Sequence, residues 1–128
     1  MLLGAVLLLG GCHHVATSEE VADQFADAYF RRFDQEAALA YTALGATEML
    51  DKELADTAAI RKSGYTPAEA AVGVTFTRGP ATPRDKRIDY RYSIVAHQDD
   101  TPPVTHEADL ELAQLGGAWK VVSVRLVK

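Results

Sequence analysis

The chain has almost no cysteine, no excess of basic charge and no long apolar run. Its 128 residues include a single cysteine, Cys12, so no disulfide can form within the chain. The formal net charge is −5, which argues against nucleic acid as a partner. The uncharged run at residues 1–11 is shorter than the roughly 17–25 apolar residues that cross a bilayer. The rest of the chain is long enough for one domain with its own core and too short for two.

The apolar run ends on two small residues and then on Cys12. Its length matches the apolar part of a secretory signal, roughly 7–15 residues that end in small side chains. The segment Leu9–Cys12 resembles the lipobox of bacterial lipoproteins, in which a leucine and two small residues precede an invariant cysteine. The resemblance implies cleavage between Gly11 and Cys12, and acyl chains such as palmitate on Cys12. We therefore expect a signal peptide at residues 1–11, and a lipidated cysteine with a short tether at residues 12–17.

One feature of a secretory signal is missing, because residues 1–11 contain neither Lys nor Arg. A translation start upstream of Met1 would explain the gap. The alternative is a cytosolic protein whose first strand is Leu2–Leu9. That alternative leaves the two small residues before Cys12 without an explanation.

The sequence from residue 18 to residue 62 has helical periodicity. Thr17 and Glu20 match a capping box, with Thr17 at the N-cap and Glu20 at the third helical position. The first helix then carries one apolar stripe at three- and four-residue spacing. The members of this stripe are Val21, Phe25, Ala28, Tyr29 and Phe33.

Three further helical segments are predicted before the strands begin. Asp34 is expected to cap a helix over residues 35–44 that Gly45 stops. Thr47 is expected to start another, ending near residue 63, and Thr66–Glu69 matches a second capping box. The third helix should turn four apolar side chains inward, namely Leu50, Leu54, Ala58 and Ile60.

The second half of the chain alternates apolar and polar residues, which predicts strands. Turn residues separate the segments, among them Gln98–Pro103 and Leu115–Gly117. The predicted strands cover residues 72–77, 88–96, 105–114 and 119–127.

Matching the apolar faces of these strands predicts their registers. Tyr92 should lie opposite Leu110, which brings Arg91 opposite Glu111. In the last hairpin Leu110 should lie opposite Val122, which brings Glu107 opposite Arg125 across a three-residue loop at 115–117. The apolar face then needs a cover, and the helices are the only elements that can supply it.

Helices followed by an antiparallel sheet resemble the nuclear-transport-factor-two-like superfamily, the cystatin-like α+β cone. The resemblance covers roughly residues 18–128 and depends on element order, the helix segment Tyr29–Phe33 and the last strand Gly117–Val122. It implies an α+β domain at 18–128, with N-terminal helices packed on a curved antiparallel sheet of about four strands. The superfamily contains ketosteroid isomerases and dehydratases as well as non-catalytic binding and assembly modules, so the fold does not decide the function.

Few residues offer chemistry. His13 and His14 beside Cys12 do not make a metal site, because a lipidated thioether is not a thiolate ligand. His106 is predicted on the apolar face of its strand with Tyr90 and Tyr92, and these three side chains are the candidate lining of a cavity. The strand carboxylates Asp89 and Asp109 fall on the opposite face. We therefore expect no catalytic residue, no metal and no cofactor.

A basic stretch surrounds the segment Gly79–Pro83 and offers a second candidate surface. Its members are Arg78, Arg84, Lys86, Arg87 and Arg91. A solvated hairpin loop is the simpler interpretation. A patch for anionic headgroups or an acidic partner is the alternative.

These observations together predict a cell-envelope lipoprotein, anchored through acylated Cys12, that carries a non-catalytic binding or assembly domain. The periplasmic side of the outer membrane is preferred to the inner membrane. The bilayer is the expected partner, with an envelope protein or a second copy of the chain as further partners. The alternative function is an isomerase- or dehydratase-type enzyme, or a small-ligand carrier, that uses His106 and Tyr92.

Overall fold

The computed structural model describes residues 15–63, 73–98 and 100–127. Within these ranges helices come first and four strands follow. The predicted signal, Cys12 and the two adjacent histidines lie outside the described residues. The capping box predicted at Thr66–Glu69 lies outside them as well.

The first helix, α1 (Ser18–Ala26), begins where the capping pattern predicts. The Thr17 hydroxyl accepts a hydrogen bond from the Glu20 N–H at 3.1 Å, and the Glu20 carboxylate accepts one from the Thr17 N–H at 3.2 Å. These bonds satisfy N–H groups that the start of a helix leaves unpaired. The cap therefore fixes which side chains of α1 face the sheet.

A π-helical turn, Asp27–Arg31, follows α1 directly. The Arg32 N–H donates to the Asp27 carbonyl at 3.0 Å, which inserts one extra residue into the helical turn. The helix ends soon after this turn, and Phe33 follows it with a positive φ of 53°, so Phe30 is buried whereas Phe33 is 37% exposed. The prediction that Phe33 belongs to the buried stripe is wrong for this reason.

The boundaries predicted for the next two helices are also wrong. Asp34 caps a helix through its carboxylate, as predicted, but that helix, α2 (Gln35–Leu39), is shorter than residues 35–44. Gly45 does not stop α2, because it lies in the first turn of α3 (Leu44–Asp56). A short helix, α4 (Ala58–Lys62), follows a break at Thr57.

The break at Thr57 also changes the burial predicted for the third helix. Leu50 is fully buried, as predicted. Ile60 is 54% exposed, because the helical period that would have turned it inward is interrupted before α4 begins. The described part of α4 therefore adds little to the core.

The sheet has four strands in the order β1-β2-β3-β4, and each strand is antiparallel to its neighbour. The strands are β1 (Gly73–Arg84), β2 (Arg87–His97), β3 (Val104–Leu115) and β4 (Ala118–Val127). The helices lie on one side of this open sheet, which we call the inner face. The other side, the outer face, carries no described element. The predicted α+β architecture is confirmed.

β1 is longer than predicted, because it continues through Gly79 and Pro80 to Arg84. A bulge between Arg78 and Ala81 accommodates the proline without breaking the pairing with β2. A Cβ atom at Gly79 would lie 2.6 Å from the Arg91 carbonyl oxygen, so this close approach requires glycine. The segment predicted as a solvated loop is therefore an edge strand.

The β2–β3 register differs from the prediction by two residues. Tyr90 lies opposite Leu110, Tyr92 lies opposite Ala108, and Arg91 lies opposite Asp109 instead of Glu111. A shift by two residues keeps every side chain on its predicted face. Face matching therefore identified the faces correctly and could not choose between registers two residues apart.

The β3–β4 hairpin differs in its turn. Leu115 and Ala118 pair across a two-residue turn, Gly116–Gly117, in which both residues have positive φ. A positive φ at both positions is the geometry that favours glycine in a tight hairpin turn. Leu110 then lies opposite Val124, not Val122, and Arg125 lies opposite Asp109, not Glu107.

A bulge in β4 compensates for this shorter turn, so that the apolar side chains of the strand still face the core. The register shifts between Glu111 and Leu112, which leaves Val122 as the extra residue of β4. Without the bulge, a one-residue change in the turn would have moved the apolar set of β4 to the outer face.

The core lies between the helices and the inner face. It includes Phe25 from α1, Leu50 from α3, Tyr92 from β2 and Leu110 from β3. The segment Tyr41–Ala43 bonds to the backbone of β4 and so covers part of that edge. None of the described helices combines the length and the apolar character that crossing a membrane requires.

Candidate functional site

The inner face is closed where α1 crosses it, and Tyr92 lies at this position. Tyr92 is fully buried and its hydroxyl donates to Asp23 Oδ1 at 2.6 Å. Asp23 Oδ2 accepts a hydrogen bond from Arg78, whose guanidinium also lies 3.6 Å from Glu19. Burial, with a smaller contribution from the bond to Asp23, raises the pKa of Tyr92 above its ordinary value. Tyr92 is therefore a neutral donor that ties β2 to α1.

Tyr90 lies two residues away under the same helix. Its hydroxyl shares a 2.7 Å hydrogen bond with the Ser18 hydroxyl. The Arg78 guanidinium carbon lies 5.8 Å from the centre of the Tyr90 ring, which places a cation over an aromatic face. Both tyrosine hydroxyls are thus hydrogen-bonded to side chains of α1. Neither tyrosine lines the cleft that is described next.

Beyond the closed part, the inner face opens into a cleft with a volume of about 690 Å³. We call it the inner-face cleft. The π-helical turn and the residues after it supply Tyr29, Phe30 and Phe33, and the sheet supplies a mainly apolar floor. The remaining lining residues are Gln35, Met49, Glu53, Val74, Ile94, Ala96, His106, Val124, Arg125 and Leu126. A mainly apolar concave site with a few polar groups is typical of small-molecule binding.

The best-defined polar group in the cleft is the Glu53 carboxylate. The Tyr29 hydroxyl donates to Glu53 Oε2 at 2.7 Å, and the Gln35 amide donates to Oε1 at 3.5 Å, which is long for a hydrogen bond. Burial, followed by the bond to Glu53, raises the pKa of Tyr29 above its ordinary value. Tyr29 therefore orients the carboxylate as a neutral donor.

His106 lines the cleft and is solvent exposed, directly opposite Ile94 on the neighbouring strand. The structure does not bring His106 together with Tyr90 and Tyr92, because those tyrosines lie deeper, under α1. A histidine and two tyrosines on one face of a sheet therefore do not form a single cavity here. The helices, which face matching of strands ignores, separate them.

The strand carboxylates Asp89 and Asp109 lie on the outer face, as predicted, but two carboxylates from the helices reach the interior. Asp23 from α1 and Glu53 from α3 both reach tyrosines of the interior. A sequence signal for Glu53 exists, since it lies three residues after the buried Leu50 and so near the edge of the apolar stripe. Spacing alone, however, does not tell which tyrosine such a carboxylate will meet.

The outer face carries a network of ion pairs. Arg91 donates to Asp109 at 2.7 Å, and Arg125 donates to the same carboxylate at 2.7 Å. The two arginines lower the pKa of Asp109 to about 2, mainly through the hydrogen bond from Arg91. The predicted pairs Arg91–Glu111 and Glu107–Arg125 are not the ones that form across the strands, for the register reason given above.

The basic stretch around Gly79–Pro83 is not a free cationic patch. Arg84 and Arg87 both donate to Glu111, at 2.7 and 2.8 Å. Arg78 pairs with Asp23, and Arg91 pairs with Asp109. Four of the five basic side chains thus have acidic partners, which weakens the interpretation of this stretch as a site for anionic headgroups.

No group of three or more metal-ligating side chains occurs in residues 15–63, 73–98 and 100–127. Glu53 and His106 both line the cleft, yet they do not belong to such a group. The cleft is thus described by its apolar surface and by the bonds to Glu53.

Comparison with solved structures identifies the fold. An NTF-2 like protein of unknown function from Shewanella oneidensis superposes with a TM-score of 0.58 at 13% identity, over 86% of this chain and 95% of that one. A protein from Thiobacillus denitrificans superposes with a TM-score of 0.59 at 12% identity, over 89% of this chain and 96% of that one. It carries the provisional name of calcium/calmodulin-dependent protein kinase type II association domain.

These likenesses show that the chain has a nuclear-transport-factor-two-like fold, as the resemblance implied. They do not assign an activity, because identities this low show the fold alone. No protein-family model and no curated protein matches the sequence.

Proposed function

We propose that this protein is a non-catalytic binding domain whose inner-face cleft receives a small molecule with an apolar body. The observation that carries the proposal is the cleft itself, with a volume of about 690 Å³ and a lining in which apolar side chains predominate. Pockets of roughly 300–1,000 Å³ that combine an apolar wall with a few fixed polar groups are the usual sites for small ligands. Of the alternatives given by the sequence, the small-ligand carrier fits this geometry best.

The polar groups of the cleft support binding more than catalysis. General acid–base chemistry needs a group that exchanges a proton near neutral pH and a site that excludes water. The raised pKa of Tyr29 keeps its proton in place, and the cleft opens to solvent through the exposed side chains of Phe33 and Leu126.

One observation favours an enzyme as the second candidate. Glu53 is held by Tyr29 and Gln35 inside an apolar cleft, which is the arrangement of an oriented general base. If the protein is an isomerase or a dehydratase, Glu53→Gln should abolish turnover while the ligand still binds.

A matched pair of neighbouring residues tests the binding proposal. Ala96 lines the cleft, whereas Val95 precedes it on the outer face of the same strand. The full-length chain is titrated with the neutral dye Nile red, which 1-octanol should displace. Ala96→Phe fills the cleft and should weaken dye binding about tenfold or more. Val95→Phe should leave it unchanged, and equal loss in both variants would contradict the proposal.

We further propose that the domain is held at the cell envelope by acyl chains on Cys12, on the periplasmic side of the outer membrane. The support is the lipobox pattern Leu9–Cys12. Two or three acyl chains at about 0.8 kcal/mol per buried CH₂ make such an anchor stable. Cys12→Ser should move the protein from the membrane fraction to the soluble fraction, and mass spectrometry of the mature amino terminus should detect the acyl chains. Unchanged membrane association of the serine variant would contradict the anchor.

An envelope protein or a second copy of the chain remains the proposed macromolecular partner. The open outer face is the surface available for it, and its polar, ion-paired surface favours a polar partner over an apolar one. Sedimentation of the full-length chain in detergent at low and high salt would measure self-association at this face.

A further inference from the structure

Among the residues that the structure describes, Glu53 has no cationic partner. Among the described residues, the ion pairs involve other carboxylates, and none joins Glu53 to Lys, Arg or His. Its hydrogen bonds come from neutral groups, the Tyr29 hydroxyl at 2.7 Å and the Gln35 amide at 3.5 Å. The longer bond leaves Oε1 only weakly satisfied, so this oxygen can accept another donor.

The surroundings of Glu53 favour a particular kind of donor. Tyr29, Phe30, Phe33 and Met49 line the same cleft. Aromatic faces attract cations, and a polarisable thioether tolerates them. A carboxylate beside aromatic rings is the combination that binds an organic ammonium, whose carbon substituents make it cheaper to dehydrate than a metal ion.

The backbone at Phe33 places an aromatic ring at the lining of the cleft. Phe33 has a φ of 53°, the left-handed conformation in which many helices end, and the Asp34 N–H donates back to the Ala28 carbonyl at 2.8 Å. This helix end lies two residues after the π-helical turn and holds a half-exposed aromatic ring in the lining, beside Tyr29 and Phe30.

In the described lining, the rest of the cleft suits an apolar body, and the arginine there already has a carboxylate partner. Val74, Ile94 and Val124 supply apolar wall. Arg125 also lines the cleft, but Asp109 holds its guanidinium at 2.7 Å on the outer side of the sheet.

We propose that the inner-face cleft binds an amphiphilic organic cation, with its ammonium group on Glu53 and the neighbouring aromatic rings and its apolar body along the sheet. This inference rests on the proposed binding function and adds the chemical class of the ligand.

Three probes with the same eight-carbon chain test the charge preference. Octyltrimethylammonium, 1-octanol and octyl sulfate are compared on the full-length chain by their ability to displace Nile red, the two ions below their micelle concentrations and the alcohol below its solubility limit. The cation should bind about tenfold more tightly than the alcohol, and the sulfate should bind most weakly. Glu53→Gln should remove the advantage of the cation over the alcohol. Glu48→Gln, an exposed change on the same helix, should keep it.

The outcomes separate the two proposals. Equal binding of cation and alcohol, or stronger binding of the sulfate, overturns the cation inference and leaves the binding function standing. Failure of all three probes to displace the dye overturns both. If Glu53→Gln does not fold, as judged by circular dichroism, Phe33→Leu replaces it. That variant should lower the ratio of cation affinity to octanol affinity several-fold, and an unchanged ratio contradicts the role of the rings.

Discussion

The two faces of the sheet are stabilised by different interactions, as the adjacent residues Asp109 and Leu110 show. Leu110 points to the inner face and is fully buried among apolar side chains. Asp109 points to the outer face, where Arg91 and Arg125 hold its carboxylate. Burial on the inner face supplies most of the folding free energy, whereas exposed ion pairs supply little each and mainly mark the register.

The same comparison locates the candidate site. On the outer face almost every charged side chain already has a protein partner. In the closed part of the inner face the polar groups also have partners, because the hydroxyls of Tyr90 and Tyr92 are hydrogen-bonded to side chains of α1. Within the described part of the two faces, the uncovered end of the inner face leaves apolar surface and a weakly satisfied carboxylate open to solvent together. A ligand therefore gains most at that end.

The largest expected effect is the loss of inner-face packing. Leu110→Ala should lower the free energy of unfolding by about 2–5 kcal/mol, since it removes a fully buried side chain and leaves a cavity. Urea denaturation followed by circular dichroism measures the change. A loss below about 1 kcal/mol would mean that the inner face is not the core.

The next largest effect concerns Tyr92 and the loss of folding stability at alkaline pH. Tyr92→Phe should cost about 1 kcal/mol near neutral pH, because Asp23 loses a partly buried hydrogen bond. The pKa of Tyr92 is raised in the folded state, so its contribution to stability is fully present below the ordinary tyrosine value of about 10 and is lost as pH rises above it. Wild type should therefore lose stability above about pH 10, and the variant should lose less.

Tyr41→Phe is the matched control for this measurement, because it leaves the bond between Tyr92 and Asp23 in place. Wild type and Tyr41→Phe should show the same alkaline slope in denaturation series at several pH values. An unchanged slope in Tyr92→Phe would contradict the assignment of the alkaline loss of stability to the inner face. Tyr29 contributes in the same direction, so the slope should fall without vanishing.

The sequence predicted the architecture of the sheet better than its details. Alternation assigned Tyr92, Leu110 and Asp109 to the correct faces, because a period of two is a local property. The β3–β4 register depended on a turn and a bulge, which the side-chain pattern does not encode when Gly116 and Gly117 permit either a two- or a three-residue loop. The β2–β3 register can shift by two residues without changing the face of any side chain.

The candidate site was harder to predict than the fold. His106 was correctly placed on the inner face. Its expected partners Tyr90 and Tyr92, however, are hydrogen-bonded to side chains of α1. Glu53 was missed, because its importance depends on a contact with Tyr29, 24 residues away along the chain. The π-helical turn that brings Tyr29 and Phe33 to the cleft leaves no clear sequence signal, since α-helical spacing fits the same residues.

The ion pairs of the outer face should determine how the free energy of unfolding falls at acidic pH. The pKa of Asp109 is lowered to about 2, so its contribution is present above the ordinary aspartate value of about 3.9 and is lost as pH falls from about 4 to about 2. Asp109→Asn should flatten this decline and cost about 1 kcal/mol at pH 7, a value reduced for solvent screening. Denaturation between pH 2 and pH 7 measures both.

Glu107→Gln is the control on the same face, because its contact with Arg91 is longer, at 3.4 Å. It should change the acid decline less than Asp109→Asn does. An equal effect of the two variants would mean that overall charge, and not the paired Asp109, sets the acid limit.

The smallest effect on stability is expected where the inner face is uncovered. Leu126 lies opposite Ala108 and so belongs to the inner face, yet it is 66% exposed and lines the cleft. Leu126→Ala should change the free energy of unfolding by less than about 0.5 kcal/mol, because little buried surface is lost. The same change should weaken Nile red binding by roughly two- to tenfold, since a bound ligand would bury this side chain. A large loss of stability without loss of dye binding would mean that Leu126 belongs to the core and that the inner face has no open end.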